Sequence, residues 1–177
     1  MLSIWKCNIC KNSFLLNDKP SNCPYCNVIS SNIIKADRYY YENFMIEPFE
    51  EKIVNDLLNK KINSLSFLKK SFDQISNQII KNLFLAIIKI EENQLLILKN
   101  FLKKDFNLND AIKDNFLKTK IYEYEEDNTA ELYQIQKKYL NFLKDSINLL
   151  ESDQLVEIFS SFLYSHEDQI KLIEEFI

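Results

Sequence analysis

From Pro48 to the C-terminus, apolar residues recur at helical spacing with few interruptions. Glu47-Pro48 marks a helix start, with proline at the first helical position and Glu50 and Glu51 in the first turn. The pattern predicts a short helix from Pro48 to about Lys61, with Ile53, Leu57 and Leu58 on its apolar face. The segment from about Ser64 to Lys104 is helical in pattern throughout, as one long helix or two. Ile80, Phe84, Ile87, Leu95, Leu98 and Leu102 form the stripe of its second half. Asn107 or Asn109 opens the next helix, which extends to about Asp127. Asn128-Thr129-Ala130-Glu131 has the spacing of a capping box, so a break is expected there, followed by a third long helix ending near Leu150. Ser152-Asp153 opens a last helix running to the C-terminus. The expected architecture is mainly α: an antiparallel four-helix bundle with short turns, plus an extra helix near the N-terminal segment.

The first 46 residues break this pattern. All four cysteines of the chain fall there, as two C-x-x-C pairs, Cys7 with Cys10 and Cys23 with Cys26, separated by twelve residues. Two cysteines three apart bring both thiolates to one metal when the chain turns tightly between them, and two such turns make a tetrahedral sulfur site. Pro24 stiffens the second turn. Residues 28–46 are rich in β-branched and aromatic side chains and predict a strand or extended connector, with Tyr39, Tyr40 and Tyr41 as packing residues. The chain then divides into a metal-binding module with its connector, residues 1–46, and a helical body, residues 47–177.

Composition narrows the setting. A hydrophobic share of 46% with 27% charged residues supports a sizeable core. The net charge of −4 and the single arginine, Arg38, speak against a nucleic-acid partner. Lys6 and Cys7 interrupt the start before a secretory apolar run can build, and the longest apolar run, Leu83 to Ile88, is too short to span a bilayer. The expected location is the cytoplasm, with no membrane partner, where paired cysteines serve more often as metal ligands than as disulfides.

The N-terminal motif reads Trp5, Cys7, Cys10, Lys19-Pro20 and Cys23-Pro24-Tyr25-Cys26. It resembles the rubredoxin-like module of rubrerythrins, with Lys11 and Asn27 where that family usually has glycine. Spacing alone leaves iron or zinc at the four cysteines. A weak echo between Ile90–Leu98 and Ile135–Leu143 extends the resemblance to the body. It implies a ferritin-like bundle behind a rubredoxin-like, zinc-ribbon-type module.

Polar residues on apolar stripes are the informative positions in such a body. Glu91 sits between Ile87 and Leu95, Gln136 lies in line with Leu132, Tyr139 and Leu143, and His166, the only histidine, lies between Phe162 and Ile170. Glu123 and Glu126 continue a mixed stripe through Ile112 and Phe116. Ferritin-like di-iron proteins use one Glu from each of two helices and a Glu-x-x-His from each of the other two. By that resemblance Glu91 and Glu123 keep family residues, whereas Glu126, Gln136 and the His166-Glu167-Asp168-Gln169 run depart from them. One reading is a modified metal site of Glu91, Glu123, Glu126 and His166, holding iron, manganese or zinc in the bundle. The other is a hydrogen-bonded polar layer with His166 as a satisfied core histidine. The first implies a rubrerythrin-like oxidoreductase, which passes electrons from a four-cysteine iron, with a redox partner protein, to a peroxide-reducing bundle site. The second implies a non-catalytic descendant with a structural zinc or iron clip and a bundle for homodimerisation or partner binding. A zinc-ribbon adaptor for nucleic acid is the least favoured account.

Overall fold

The computed structural model describes residues 3–9, 13–24, 28–35, 46–102 and 107–177. Cys10, Lys11, Cys26, Asn27 and the Tyr39–Tyr41 part of the expected connector lie outside them. The chain is mainly helical with a small sheet, and none of the described helices is long and apolar enough to cross a membrane. It divides into two units, residues 1–45 with 142–165, and residues 46–141 with 166–177.

The first unit holds strands β1 (Ser3–Cys7), β2 (Ser13–Leu16) and β3 (Ile33–Lys35) in one antiparallel sheet of order β2-β1-β3. Burial alternates along β1 as a half-buried strand requires: Ser3, Trp5 and Cys7 point inward, Ile4 and Lys6 outward. Register pairs Trp5 with Phe14 on one side and Cys7 with Ile33 on the other. The Trp5 indole N–H donates to Leu16 O at 3.2 Å, which satisfies the one polar atom of a buried ring. The expected strand or connector after residue 28 is, over its described part, a 3₁₀ turn at Ser30–Asn32 leading into β3. The helical part of this unit buries Leu143, Leu150, Leu155, Phe159 and Phe162. Lys6 of β1 forms an ion pair with Glu157 in that part.

The second unit is built on α1 (Pro48–Phe72), α2 (Gln78–Phe101), α3 (Leu108–Phe116) and parts of α4 (Glu125–Ile147) and α5 (Asp153–Glu174). Pro48 opens α1 as expected, but the helix does not stop at Lys61. It continues to Phe72 as one 25-residue element. Asn63 and Ser64 are absorbed because the apolar period runs through them: Val54, Leu57, Leu58, Ile62, Leu65 and Leu68 are all buried. The break falls at residues 73–77, where Asn77 Oδ1 accepts the Ile79 N–H at 2.9 Å and caps α2. The Glu125 carboxylate accepts from both the backbone N–H and the hydroxyl of Ser76, and these bonds hold its pKa below the ordinary value.

The helix expected between residue 107 and Asp127 is instead the nine-residue α3. It is the one short α-helix among the described residues, whereas the pattern predicts the short helix at Pro48–Lys61. Thr119 Oγ1 donates to Asn115 O at 2.8 Å, and Lys70 of α1 donates to Phe116 O at 3.1 Å and Thr119 O at 2.6 Å. These bonds give α3's terminal carbonyls partners outside the helix, so the ladder has no need to continue. Asn128 is not the cap of α4 but lies within its first turn, folded back on the preceding loop. Its Oδ1 accepts from Tyr122 N–H at 3.0 Å and Ser71 Oγ at 3.3 Å, and its Nδ2 donates to Tyr122 O at 2.8 Å and Tyr124 O at 3.1 Å. Ser152 Oγ accepts the Leu155 N–H at 3.4 Å at the start of α5, where Ser152-Asp153 predicts the last helix.

Four hydrogen bonds on one buried side chain make Asn128 the pin of the loop between α3 and α4. Asn128→Ala is expected to lower unfolding stability by about 2 kcal/mol. Urea unfolding monitored by circular dichroism measures it, and a loss under about 0.5 kcal/mol would mean the loop is held by other contacts.

Candidate functional site

Two groups of residues carry the chemistry singled out in the sequence, one in each unit. In the first unit, Cys7 is the last residue of β1, and Asn8 N–H donates to Asn32 O at 2.8 Å just beyond it. Beside Cys23, Asn22 bridges Ile29, and Cys23 N–H donates to Val28 O at 2.8 Å. Cys7 and Cys23 thus each lie next to backbone pairing within the first unit. Cys7 and Cys23 are 0% and 2% exposed and belong to one apolar cluster with Trp5, Phe14 and Ile33. The structure brings these two cysteines into a single dry core, while Cys10 and Cys26 lie outside the described residues.

The second group lies inside the second unit, where four helices each send a polar side chain inward. Lys61 comes from α1, Glu91 and Gln94 from α2, Gln136 from α4 and His166 from α5, and all five are fully buried. Lys61 Nζ donates to Glu91 Oε2 at 2.8 Å and to Gln94 Oε1, and lies 2.8 Å from His166 Nε2. Gln136 Nε2 donates to Glu91 Oε1 at 3.3 Å, and His166 Nδ1 bonds Gln136 Oε1. The Tyr139 ring stacks on His166 with centroids 5.3 Å apart and lies 5.1 Å from Lys61 Nζ.

The proton positions follow from one charge. An ionised Glu91 only accepts, so the Gln136 amide must turn its NH₂ toward it and its oxygen toward His166. That oxygen requires a proton on Nδ1, which leaves the Nε2 lone pair facing Lys61. Three N–H bonds of a lysine ammonium then meet three acceptors, Glu91, Gln94 and His166. Burial holds the His166 pKa well below its ordinary value, and the neighbouring Lys61 charge lowers it further. Burial also lowers Lys61, against the opposing pull of Glu91. Burial and the Glu91 charge together raise Tyr139 well above its ordinary value, so it stays a neutral phenol.

Of the bundle residues expected at a metal site, the structure unites Glu91 and His166, with Nε2 and Oε1 3.9 Å apart. Glu123 and Glu126 are not with them. Both are exposed, Glu123 in the bend before α4 and Glu126 in its first turn, because α3 ends at Phe116 and the stripe that would have carried them inward does not exist. Among the described residues no three His, Cys, Asp or Glu side chains gather as metal donors.

Lys61 and Gln94 are the functional positions that the sequence reading missed. Ending the first helix at Lys61 made it look like an ordinary C-terminal lysine. In the continuous α1 it lies one turn from both Leu57 and Leu65, on the buried stripe. Spacing carried a further signal. Lys61 and Glu91 are 30 residues apart, and so are Gln136 and His166. Gln94 follows Glu91 by three residues as Gln169, also buried, follows His166. This register aligns Lys61 with Gln136 and Glu91 with His166, whereas the echo between Ile90–Leu98 and Ile135–Leu143 aligns Glu91 with Gln136. Comparison with known proteins found no match for this chain among family models, curated proteins or solved structures.

Two outcomes test this network. Lys61→Met leaves Glu91 buried without its countercharge and is expected to destabilise the protein by about 3–5 kcal/mol, whereas Lys61→Met with Glu91→Gln recovers most of that loss. Denaturant unfolding of the three proteins reads the cycle, and equal losses in single and double variants would show that the pair is not coupled. His166 sets a pH dependence. The native imidazole stays neutral while the unfolded chain takes up a proton near pH 6.5, so the unfolded state binds more protons below that pH. Stability should therefore fall as pH drops from about 6.5 toward the native His166 pKa, by up to about 1.4 kcal/mol per pH unit. His166→Gln should lose this component, and an unchanged slope would contradict the neutral assignment.

Proposed function

We propose that this is a rubrerythrin-like protein without a bundle metal: a four-cysteine module carrying structural zinc or iron, joined to a ferritin-like four-helix bundle of α1, α2, α4 and α5. The observation that carries this reading is the Lys61 ammonium bonded to Glu91, Gln94 and His166. Lys61 and Gln136 stand where such bundles place a single Glu on each of two helices. Glu91-x-x-Gln94 and His166-x-x-Gln169 stand where they place Glu-x-x-His. Only Glu91 keeps the expected residue. A divalent ion at the centre of these six side chains would face a buried ammonium and a His166 lone pair already engaged by it. The donor set does not fit a di-iron centre. A four-thiolate module alone supplies folding energy or one-electron transfer, according to the metal it holds. The bundle's role is then dimerisation or partner binding rather than peroxide reduction.

Metal content of protein purified without added metal or chelator tests this. One metal per chain is expected, lost in Cys7→Ser and Cys23→Ser and retained in the Lys61→Met, Glu91→Gln double variant. A colourless zinc protein or a red iron protein identifies the clip metal. Iron beyond one equivalent that disappears in the double variant would overturn the proposal in favour of the oxidoreductase.

A further inference from the structure

A cavity of about 620 Å³ opens within the second unit, between α1, the loop following α3, and α4. Its size lies in the range of small-molecule sites, roughly 300–1,000 Å³. The charged side chains lining it are Lys60, Lys118, Lys120 and Lys138 against one carboxylate, Glu131. That balance is opposite to the protein's net charge of −4. Deeper in the lining lie Ser64, Phe67 and Tyr139. Ser64 is 2% exposed, and its hydroxyl lies beside the Tyr139 phenol, which it hydrogen-bonds. A hydroxyl both donates and accepts, so this pair keeps hydrogen-bonding capacity that an occupant of the cavity would use.

The wall carrying Lys118 and Lys120 is fixed in advance. Lys70 holds the Phe116 and Thr119 carbonyls, Asn128 holds Tyr122 at both its N–H and its C=O, and Lys120 lies 5.3 Å over the Tyr122 ring. A pre-ordered wall spares a ligand the entropy of ordering it. Ammonium groups at the mouth act as point charges for phosphate. The Phe67, Tyr122 and Tyr139 rings in the lining suit a flat apolar body, and Asn63 and Asn115 add amides for its polar edges.

We infer that this cavity is a binding site for an organic phosphate of nucleotide size, its phosphates at the lysine-lined mouth and its base against the aromatic lining. The inference does not depend on which metal the cysteines hold. A fluorescently labelled ADP titrated into the full-length protein, with unlabelled competitors, tests it. Saturable binding is expected, competed by ADP at least about tenfold better than by adenosine or by pyrophosphate. Lys118→Ala with Lys138→Ala, both exposed and outside every hydrogen bond described above, should weaken it by about tenfold or more with an unchanged thermal midpoint. Ser64→Ala should weaken it by a smaller factor. No saturable binding up to about 1 mM, or the double variant binding as the wild type does, would overturn the site. Adenosine competing as well as ADP would overturn the role of the lysines, and pyrophosphate competing as well as ADP would overturn the nucleotide assignment.

Discussion

The helical unit is organised around a lysine ammonium buried out of reach of water. Desolvating such a charge costs several kcal/mol even after the protein relaxes, and the loss is offset only where geometry and further hydrogen bonds are both good. Lys61 meets that condition by having as many acceptors as it has N–H bonds, one of them the Glu91 carboxylate. The pair is neutral in sum, and the two glutamines and His166 serve to complete the hydrogen bonding of the two charges. Each of the four long helices contributes at least one member. Sliding one helix by a turn against another would leave an ammonium or a carboxylate unpaired in apolar surroundings. An all-leucine layer would tolerate such a slip far better. The network therefore supplies register more than net stability, the best-attested use of buried polar groups in helical proteins.

The cysteine module solves a different problem. Three short strands with a handful of inward side chains bury too little apolar surface to hold a fold by themselves. Trp5 and Phe14 pack against Cys7, Cys23 and Ile33, so the thiols belong to the apolar cluster and not to the surface. A metal bridging the two turns would supply as folding energy what the small core lacks. Trp5, two residues before Cys7 on the same strand face, positions this core.

Local signals in the sequence were read correctly where one residue decided the outcome. Pro48 fixed a helix start because its ring presets the backbone angle and its missing N–H is not needed there. Errors arose where a tertiary contact overrode a local preference. Asn63-Ser64 resembles a break, but the apolar period on both sides of it is buried against neighbouring helices. Asn128 resembles a cap, yet its amide finds better partners in Tyr122, Tyr124 and Ser71. The two errors have one consequence. Moving the first break from residue 73 back to 61 took Lys61 out of the core, and extending α3 past Phe116 put Glu123 and Glu126 into it. Glu91 and His166 survived both shifts because their own stripes, on α2 and α5, were read in the right phase.

Tyr139 ties the buried network to the cavity beside it. Its ring stacks on His166 and faces Lys61, and the same residue lines the cavity wall. The ring is thus part of what separates a buried ion pair from an opening rich in lysines. Coulomb repulsion between those lysines and Lys61 is screened at the mouth by solvent, but inside it grows as the dielectric falls. An anion held at the mouth would lower the potential felt by Lys61 as well as by the surface lysines. Tyr139 is thus the side chain through which an occupant of the cavity would meet the network. Because the Lys61 ammonium already has three acceptors, an occupant meeting that ring would find the network side chains fixed in place.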